Sequence, residues 1–490
     1  MNFIQKHSDK FSWLAILLLF FIITALQVNI LGYVLGLVLF IYAFFRPKNA
    51  ILLLFLYMPI RPFIIEYVGS LRYTGDFLIF GALFKTIWDA RSNLKSLFQF
   101  KLFEYGLFAF LIIGSISSLF VTGMPIITVI LQIRAFLLMY LVYYIVKRMN
   151  ITKEDVKNVL WITIWTVIAI IIQAVAEKLF IRTFLLPEAW QQMALSAKNR
   201  VRIYGMLGNP NVLSIYLSFV FLFFVYIKRH VPAFSSKLIT VLNWFVFAII
   251  ILTYSRGTWI GFAVMFITYL VISKRYFILK DFLKTAVLST ILVVLPLTGL
   301  TALIEKSDIG AEKVKQIQQY DQEGKSGFID RIGSTFSDDT ITSSQGSGRL
   351  FIVKKGFEVF LDNPIIGTGF GTFGDSASLR QISPIYEEYE IGYQFYSDNQ
   401  YIQIIVQTGT LGVIAFAVFL LSMLVTFWKR REERLSMVMI GVILAAYFMG
   451  LVYNLWEADI FGLCFFTLLA VTIRSREELR SLHHSLENEK

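Results

Sequence analysis

Five arginines stand where apolar sequence surrounds them. Arg200 and Arg202 precede Tyr204-Gly-Met-Leu-Gly-Asn-Pro-Asn211, Arg256 lies in Tyr254-Ser-Arg-Gly-Thr between two apolar runs, Arg349 opens an amphipathic stretch, and Arg134 sits inside the apolar run Ile126 to Val146. A guanidinium is a planar fork that takes phosphate oxygens two at a time, so such residues brought together suit a phosphate-rich group. At a helix centre in lipid an Arg costs about 2.5–3.5 kcal/mol, so Arg134 must find an anion, a carbonyl or a structural ion pair. Asp398-Asn399 stands just before another apolar run, where the pair suits a helix cap, a general base, or both. The run Ile365 to Gly374 holds Gly367 and then a literal G-x-G-x-x-G at Gly369, Gly371 and Gly374. It lacks the preceding strand, following helix and downstream acid of a dinucleotide site, which leaves a turn that brings backbone close to a ligand or to neighbouring helices. Tyr386, Tyr389, Tyr393, Tyr396 and Tyr401 suit stacking on sugar rings or an interfacial aromatic belt. Glu387, Glu388 and Glu390 read as solvated surface. The four His (His7, His230, His483, His484) lie near the ends or in a short basic loop, and the single Cys464 is in an apolar run. That distribution offers no disulfide framework and no His–carboxylate or Cys-based metal site.

The elements that position these residues must be membrane helices. Of 490 residues 57% are hydrophobic and 16% charged, against about 25% charged in soluble domains. The apolar runs are continuous, without the alternation of a barrel strand, and approach the roughly 20 residues a helix needs to cross hydrocarbon. Spans are expected near 11–27, 30–45, 49–65, 73–90, 103–121, 126–146, 156–179, 210–227, 238–254, 257–273, 283–304, 400–427, 436–455 and 459–473. The first follows Lys6, His7 and Lys10 without a small-residue cleavage site and reads as an uncleaved span. Alternate connections carry Arg46/Lys48, Arg91/Lys95/Lys101, Lys147/Arg148/Lys153, Lys228/Arg229, Lys274/Arg275/Lys280, Lys429/Arg430/Arg431/Arg434 and Arg474/Arg476/Arg480. Short basic loops face the cytoplasm, so both termini are expected there, and the net charge of +12 reflects topology rather than nucleic-acid binding. The expected fold is an all-α polytopic membrane protein of about 12–14 spans in the plasma or inner membrane of a bacterium. Its divisions are 1–124, N-terminal transmembrane helices; 125–304, a transmembrane core with the Arg motifs; 305–399, an extracytoplasmic loop; 400–474, C-terminal transmembrane helices; and 475–490, a cytoplasmic tail.

Two outward connections are long, about Lys178 to Pro210 and Glu305 to Asn399. The second begins with a polar stretch to Gly348 that reads as a flap or irregular cover. From Arg349 to Phe360, Leu350, Val353, Phe357, Val359 and Phe360 recur at helical spacing until Asn363-Pro364 stops them, giving a helix on the outer membrane surface or against the bundle. No inverted repeat is evident. A single large loop argues against a two-half transporter with a midplane site and for a site at the outer surface.

In order along the chain, Arg202 to Asn211, Tyr254-Ser-Arg-Gly-Thr-Trp259, Arg349 with Asp362-Asn-Pro-Ile-Ile-Gly-Thr-Gly-Phe-Gly371, Asp398-Asn-Gln-Tyr401 and Thr408-Gly-Thr-Leu-Gly412 resemble the motifs of the O-antigen ligase and polymerase superfamily, the Wzy-type polysaccharide polymerases and their ligase relatives. The resemblance covers roughly residues 125 to 425. It implies a glycosyltransferase of multispan, GT-C-like fold with its site at the outer membrane surface and no obligatory metal or other cofactor. The donor is a glycan on undecaprenyl diphosphate, and the nucleophile is a hydroxyl of a second lipid-linked glycan or another acceptor. Arg256 and Arg202, then Arg200, Arg349 and Arg134, are the expected diphosphate ligands. Asn399, Gly367, Gly369 and Tyr401 are the expected acceptor-side and loop residues. Many ligase-type members carry His where this chain has Asp398. A carboxylate can take a proton at neutral pH but is a weaker base than imidazole; Asp398 is the expected base, and the missing His favours a polymerase over a ligase.

Abundant Ile, Lys and Phe suit an AT-rich, Gram-positive source, with a capsule or teichuronic-acid-like wall polymer as product and a flippase and chain-length regulator as partners beside the bilayer. The rival readings are a ligase onto another acceptor, a lipid-linked oligosaccharide flippase, and a scaffold of the assembly complex. The topology has its own test. With Cys464→Ala as background, a cysteine at Ser334 should react with a membrane-impermeant maleimide added to intact cells, and one at Glu432 should not; the reverse pattern inverts the orientation.

Overall fold

The computed structural model describes residues 2–193, 195, 197–230, 236–307, 349–474 and 478. Among them there is no strand. The principal helices are α1 (Asn2–Leu26), α2 (Asn29–Phe45), α3 (Pro47–Ile65), α4 (Thr74–Asp89), α5 (Leu102–Phe120), α6 (Ile126–Val146), α7 (Lys153–Leu179), α8 (Pro210–His230), α9 (Ser236–Leu252), α10 (Arg256–Ser273), α11 (Phe277–Lys306, with a π-helical turn at Thr290–Val294), α12 (Arg349–Asp362), α13 (Gln400–Trp428), α14 (Arg434–Met449) and α15 (Asp459–Thr472). The chain is an all-α polytopic membrane protein. Each expected span coincides with a helix. Among the described residues eight helices are long and apolar enough to cross a membrane, and five shorter apolar ones accompany them. The expected span at 73–90 is in neither group, because α4 has only 16 residues and carries Asp76, Lys85 and Asp89. The expected polar flap falls on residues 308–348, outside those described.

Antiparallel connectivity gives the bundle two chemically different ends. At one end basic residues tie neighbouring helices together. Lys48 pairs with Asp155 at 2.8 Å, and Lys147 with the buried Glu104 at 2.7 Å. Arg430 and Arg474 donate to the carbonyls of Arg474 and Val146 at 2.7 and 2.9 Å. At the other end the arginine motifs, the glycine run and Asp398 collect at helix termini. Within the bundle, α5 crosses α13 so closely that a Cβ at Gly106 would meet the backbone of Ala415 and Phe419. Small residues allow such approaches where water cannot drive helices together.

The second half of the large loop does not lie wholly outside this framework. α12 buries Ile352, Gly356 and Val359, and a Cβ at Gly356 would strike Ile402 of α13. Of the expected apolar stripe Val359 faces the bundle, while Leu350 and Phe357 are each 49% exposed on the opposite side; the helix lies against the bundle and presents a second apolar face outward. After α12 the chain threads inward. Thr368 N–H and Gly369 N–H donate to the carbonyls of Val406 and Gln407 at 2.9 and 2.8 Å, and Thr410 N–H and Leu411 N–H reach back to Pro364 and Ile365 at 2.8 and 3.1 Å. This exchange is possible because α13 breaks at Gly409, whose φ of 57° and ψ of −163° are not helical. On the other side Ser118 and Thr122 donate to the carbonyls of Phe370 and Thr368 at 2.7 and 2.9 Å.

Gly367 and Gly369, at φ 69° and 93°, leave no room for a side chain: a Cβ at Gly369 would overlap the Ser118 backbone, and one at Gly367 the backbone of Val406 to Thr408. Gly369→Ala should therefore destabilise by at least about 2 kcal/mol, from overpacking and left-handed strain together. Thermal unfolding in detergent reads this, with Gly392→Ala, where a Cβ meets nothing within 4 Å, as the silent control.

Candidate functional site

Arg202 is held rather than flexible. Its Nε donates to the Thr253 carbonyl at 2.8 Å and its Nη2 to Asn211 Oδ1 at 2.6 Å. Asn209 accepts from the N–H of Asn211 and Val212 and so caps α8, with Pro210 at its first position. Asn211 Oδ1 also accepts from Ser255 Oγ at 3.0 Å, and Ser255 Oγ lies 2.8 Å from Tyr453 Oη and 2.9 Å from Thr258 Oγ1. Ser255 is buried, and the next residue, Arg256, is exposed as the first residue of α10. There the helix dipole and the guanidinium both favour an anion. Arg200, half-buried, ends the short helix Ala197–Arg200 just before Arg202. The connection carrying both is anchored by the buried Glu177, which pairs with Arg182 and accepts from Tyr204 and Gly205 N–H at 3.2 and 2.8 Å.

Asp398 is reached from the same place. Tyr453, which touches Ser255, is followed by Asn454, whose Oδ1 accepts from Ser397 Oγ at 2.7 Å and from Asn399 N–H at 3.1 Å, while its Nδ2 donates to the Gly374 carbonyl at 2.9 Å. Asn454 thus grips the residues on either side of Asp398. The helix cap is Asn399, whose Oδ1 accepts from Tyr401 and Ile402 N–H at 3.1 and 3.2 Å. Asp398 is half-buried and left-handed at φ 47°. A non-glycine residue in that region costs of order 1 kcal/mol or more and persists only where its surroundings impose it.

Beneath lies a buried polar layer. Asp375 accepts from the N–H of Gly371 and Ser378 at 2.6 and 2.7 Å and from Gln407 Nε2 at 2.7 Å. Glu457 accepts from Ser376 N–H at 2.8 Å, from Tyr396 Oη at 3.4 Å and from Gln403. Gln400 donates to Gln403 at 2.9 Å and accepts from Trp456 N–H at 3.0 Å, so Gln400, Gln403 and Gln407 form a ladder down one face of α13. Burial pushes both carboxyls above their ordinary range, and the nearby Asp375 raises Glu457 further.

Other expected site residues are placed differently. Arg134 makes a two-point pair with Asp76, Nε to Oδ2 at 2.7 Å and Nη2 to Oδ1 at 2.6 Å. Beside it Arg61 pairs with Asp459. The cost of an intramembrane Arg is met by carboxylates from the protein, so here Arg134 joins α6 to α4. Tyr401 donates its hydroxyl to the Tyr447 carbonyl at 2.8 Å, joining α13 to α14. Gly367 and Gly369 contact helix backbone. Arg349 is the first residue of α12, and its side chain lies outside those described. Tyr386 and Tyr389 are buried in a core with Phe373 and Phe395, whereas Tyr393 is 44% exposed. Glu387, Glu388 and Glu390 are exposed.

The segment that holds Arg256 and Asp398 is similar to a known family. Residues 241–417 match the O-antigen ligase family. The match runs from α9 to the middle of α13, about a third of the chain, and supports a relation to the O-antigen ligase and polymerase superfamily. No curated protein matches the chain. The matched segment holds Arg256, the glycine run and Asp398, while Arg202 and Asn211 enter from before it and Tyr453, Asn454 and Glu457 from after it.

Those last three escape notice in a sequence, since Tyr453 and Asn454 read as the polar end of an expected span and Glu457 as part of a short connection. The ladder had a visible signal: glutamines at i, i+3 and i+7 on one helix face in an apolar run. The buried carboxyls yield a pH prediction. Below about pH 4 folded and unfolded chains both keep the Glu457 proton; as pH rises the unfolded chain releases it first, so stability falls until the folded group also releases it. In thermal scans at about pH 5 and pH 8, Glu457→Gln should lose less stability over the interval than the unmutated protein. Equal losses would mean Glu457 titrates as an exposed carboxyl.

Proposed function

We propose that the chain is a polysaccharide polymerase, joining lipid-diphosphate-linked oligosaccharide repeat units at the outer face of a bacterial cytoplasmic membrane. The observation that carries this reading is the Tyr453–Asn454 junction, which ties the Arg202–Asn211–Ser255 network to the residues flanking Asp398. This link between the network around Arg202 and the segment carrying Asp398 supports a pairing of cationic groups suited to a diphosphate with a carboxylate suited to a hydroxyl. The basic residues at the opposite end support the orientation, with both termini cytoplasmic.

In this mechanism Asp398 accepts the proton of an acceptor sugar hydroxyl as its oxygen attacks the anomeric carbon of the donor. A new glycosidic C–O bond forms, the bond from that carbon to the diphosphate oxygen breaks, and the electron pair leaves with the lipid diphosphate. Arg256 and Arg202, with Arg200 and Arg349 behind them, stabilise the charge that grows on the leaving group. The carrier is undecaprenyl diphosphate, and residues 125–399 supply most of the site. The strained backbone at Asp398 and the separate cap at Asn399 support the role of base, because the carboxylate is positioned without serving as the cap.

General-base assistance is worth about 100- to 10,000-fold, so Asp398→Ala at normal membrane abundance should cut polymer formation on that scale, whereas Asp398→Glu should retain part of it. Arg256→Lys should also fail, since an ammonium does not reproduce the two-point fork. Normal polymer length in Asp398→Ala cells, or full rescue by Lys at 256, would overturn these assignments.

A further inference from the structure

At the basic end, away from the proposed transfer site, a cavity of about 1020 Å³ opens between α3, α7, α8, α9, α10, α11, α14 and α15. That volume is at the upper end of ligand cavities, which run about 300–1,000 Å³. Its interior is apolar, walled by residues such as Val220, Phe223, Met265, Phe282 and Leu288. From Tyr216 to Lys228 it follows α8 for about 18 Å at 1.5 Å per residue. Its lining includes five cations, Lys48, Lys228, Arg275, Lys284 and Arg434, against two acids, Asp155 and Asp281. Lys48 pairs with Asp155, and the surplus is cationic. Two polar side chains also belong to the lining, Asn243 and Thr467, whose Oδ1 and Oγ1 have no hydrogen-bond partner among the described residues. Both lie one to two turns in from the basic end of their helices.

We infer that this cavity holds an anionic phospholipid of the leaflet at the basic end, with its phosphate among Lys228, Arg275, Lys284 and Arg434 and an acyl chain along α8 and α10. Charge decides the headgroup, since basic pockets between membrane helices on this face select anionic lipids. Length decides the tail, because an apolar slot that deep accommodates a hydrocarbon chain. Asn243 and Thr467 lie at the depth of the ester linkages, where a rotation of either side chain brings its donor to an ester carbonyl. The headgroup end of the slot excludes a carrier whose diphosphate sits at the opposite end of the bundle.

Trp244 lines the cavity and reports on it. Full-length protein is reconstituted in phosphatidylcholine vesicles containing a small fraction of phosphatidylglycerol with brominated chains, and quenching is taken as the difference between unmutated protein and Trp244→Phe. Brominated phosphatidylglycerol should reach half-quenching at a mole fraction at least about tenfold below that of brominated phosphatidylcholine, equivalent to about 1.4 kcal/mol of preference, and Arg275→Gln/Lys284→Gln should remove the difference. Native mass spectrometry of protein extracted from phosphatidylglycerol-containing membranes should show one retained lipid in the unmutated protein and in Trp244→Phe. Equal quenching by the two lipids, absence of Trp244-dependent quenching, or quenching by a brominated polyprenyl phosphate in place of phosphatidylglycerol would each overturn the inference.

Discussion

Irregular backbone can enter a membrane bundle only where protein satisfies its polar groups, and the segment Ile365 to Gly371 meets that condition between two helices. Its partners on one side are the carbonyls and N–H groups freed where α13 breaks at Gly409. On the other they are the hydroxyls of Ser118 in α5 and of Thr122 just past its end. The break and the insertion need each other: a continuous α13 would have no free groups to offer, and without the insertion those groups would stand unpaired in an apolar surrounding. The rest of the motif end is built on this joint. The insertion fixes Gly374, whose carbonyl accepts from Asn454, and Asn454 in turn sets the residues around Asp398.

The site that results is made of helix termini joined by neutral hydrogen bonds. Asn211, Ser255, Tyr453 and Asn454 carry no charge, yet they determine where Arg202 and Asp398 stand. In the proposed function these neutral dipoles orient the cationic groups toward a diphosphate. Arg134 and Arg61 show the opposite arrangement, each committed to a carboxylate from a neighbouring element, and their role is to join α3, α4, α6 and α15. The buried Asp375 and Glu457 lie under the site and hold the loop to α13 through glutamines.

How much of this a sequence reveals follows from the range of the forces involved. Membrane spans are local: a continuous apolar run marks each one, and the fourteen expected runs coincide with helices even where α4 is short and charged. The loop helix at Arg349 was legible from its spacing, but which apolar face turns inward depends on Ile402 and Val406, about fifty residues away. The glycine run had two open readings, and only the proximity of Ser118 and Gln407 decides between a ligand and the bundle. Arg134 similarly had its partner 58 residues earlier in Asp76. The junction at Tyr453–Asn454 was silent, since nothing local distinguishes it from a span's polar end.

Under the proposed function these groups transfer glycan between lipid carriers. The direct measurement uses purified protein in detergent with a defined undecaprenyl-diphosphate oligosaccharide as both donor and acceptor, following lipid-linked products by size. Polymerisation gives a ladder of products lengthened by whole repeat units, with one lipid diphosphate released for each new glycosidic bond. Recovery of the oligosaccharide unchanged, or its movement across vesicles without elongation, would contradict it.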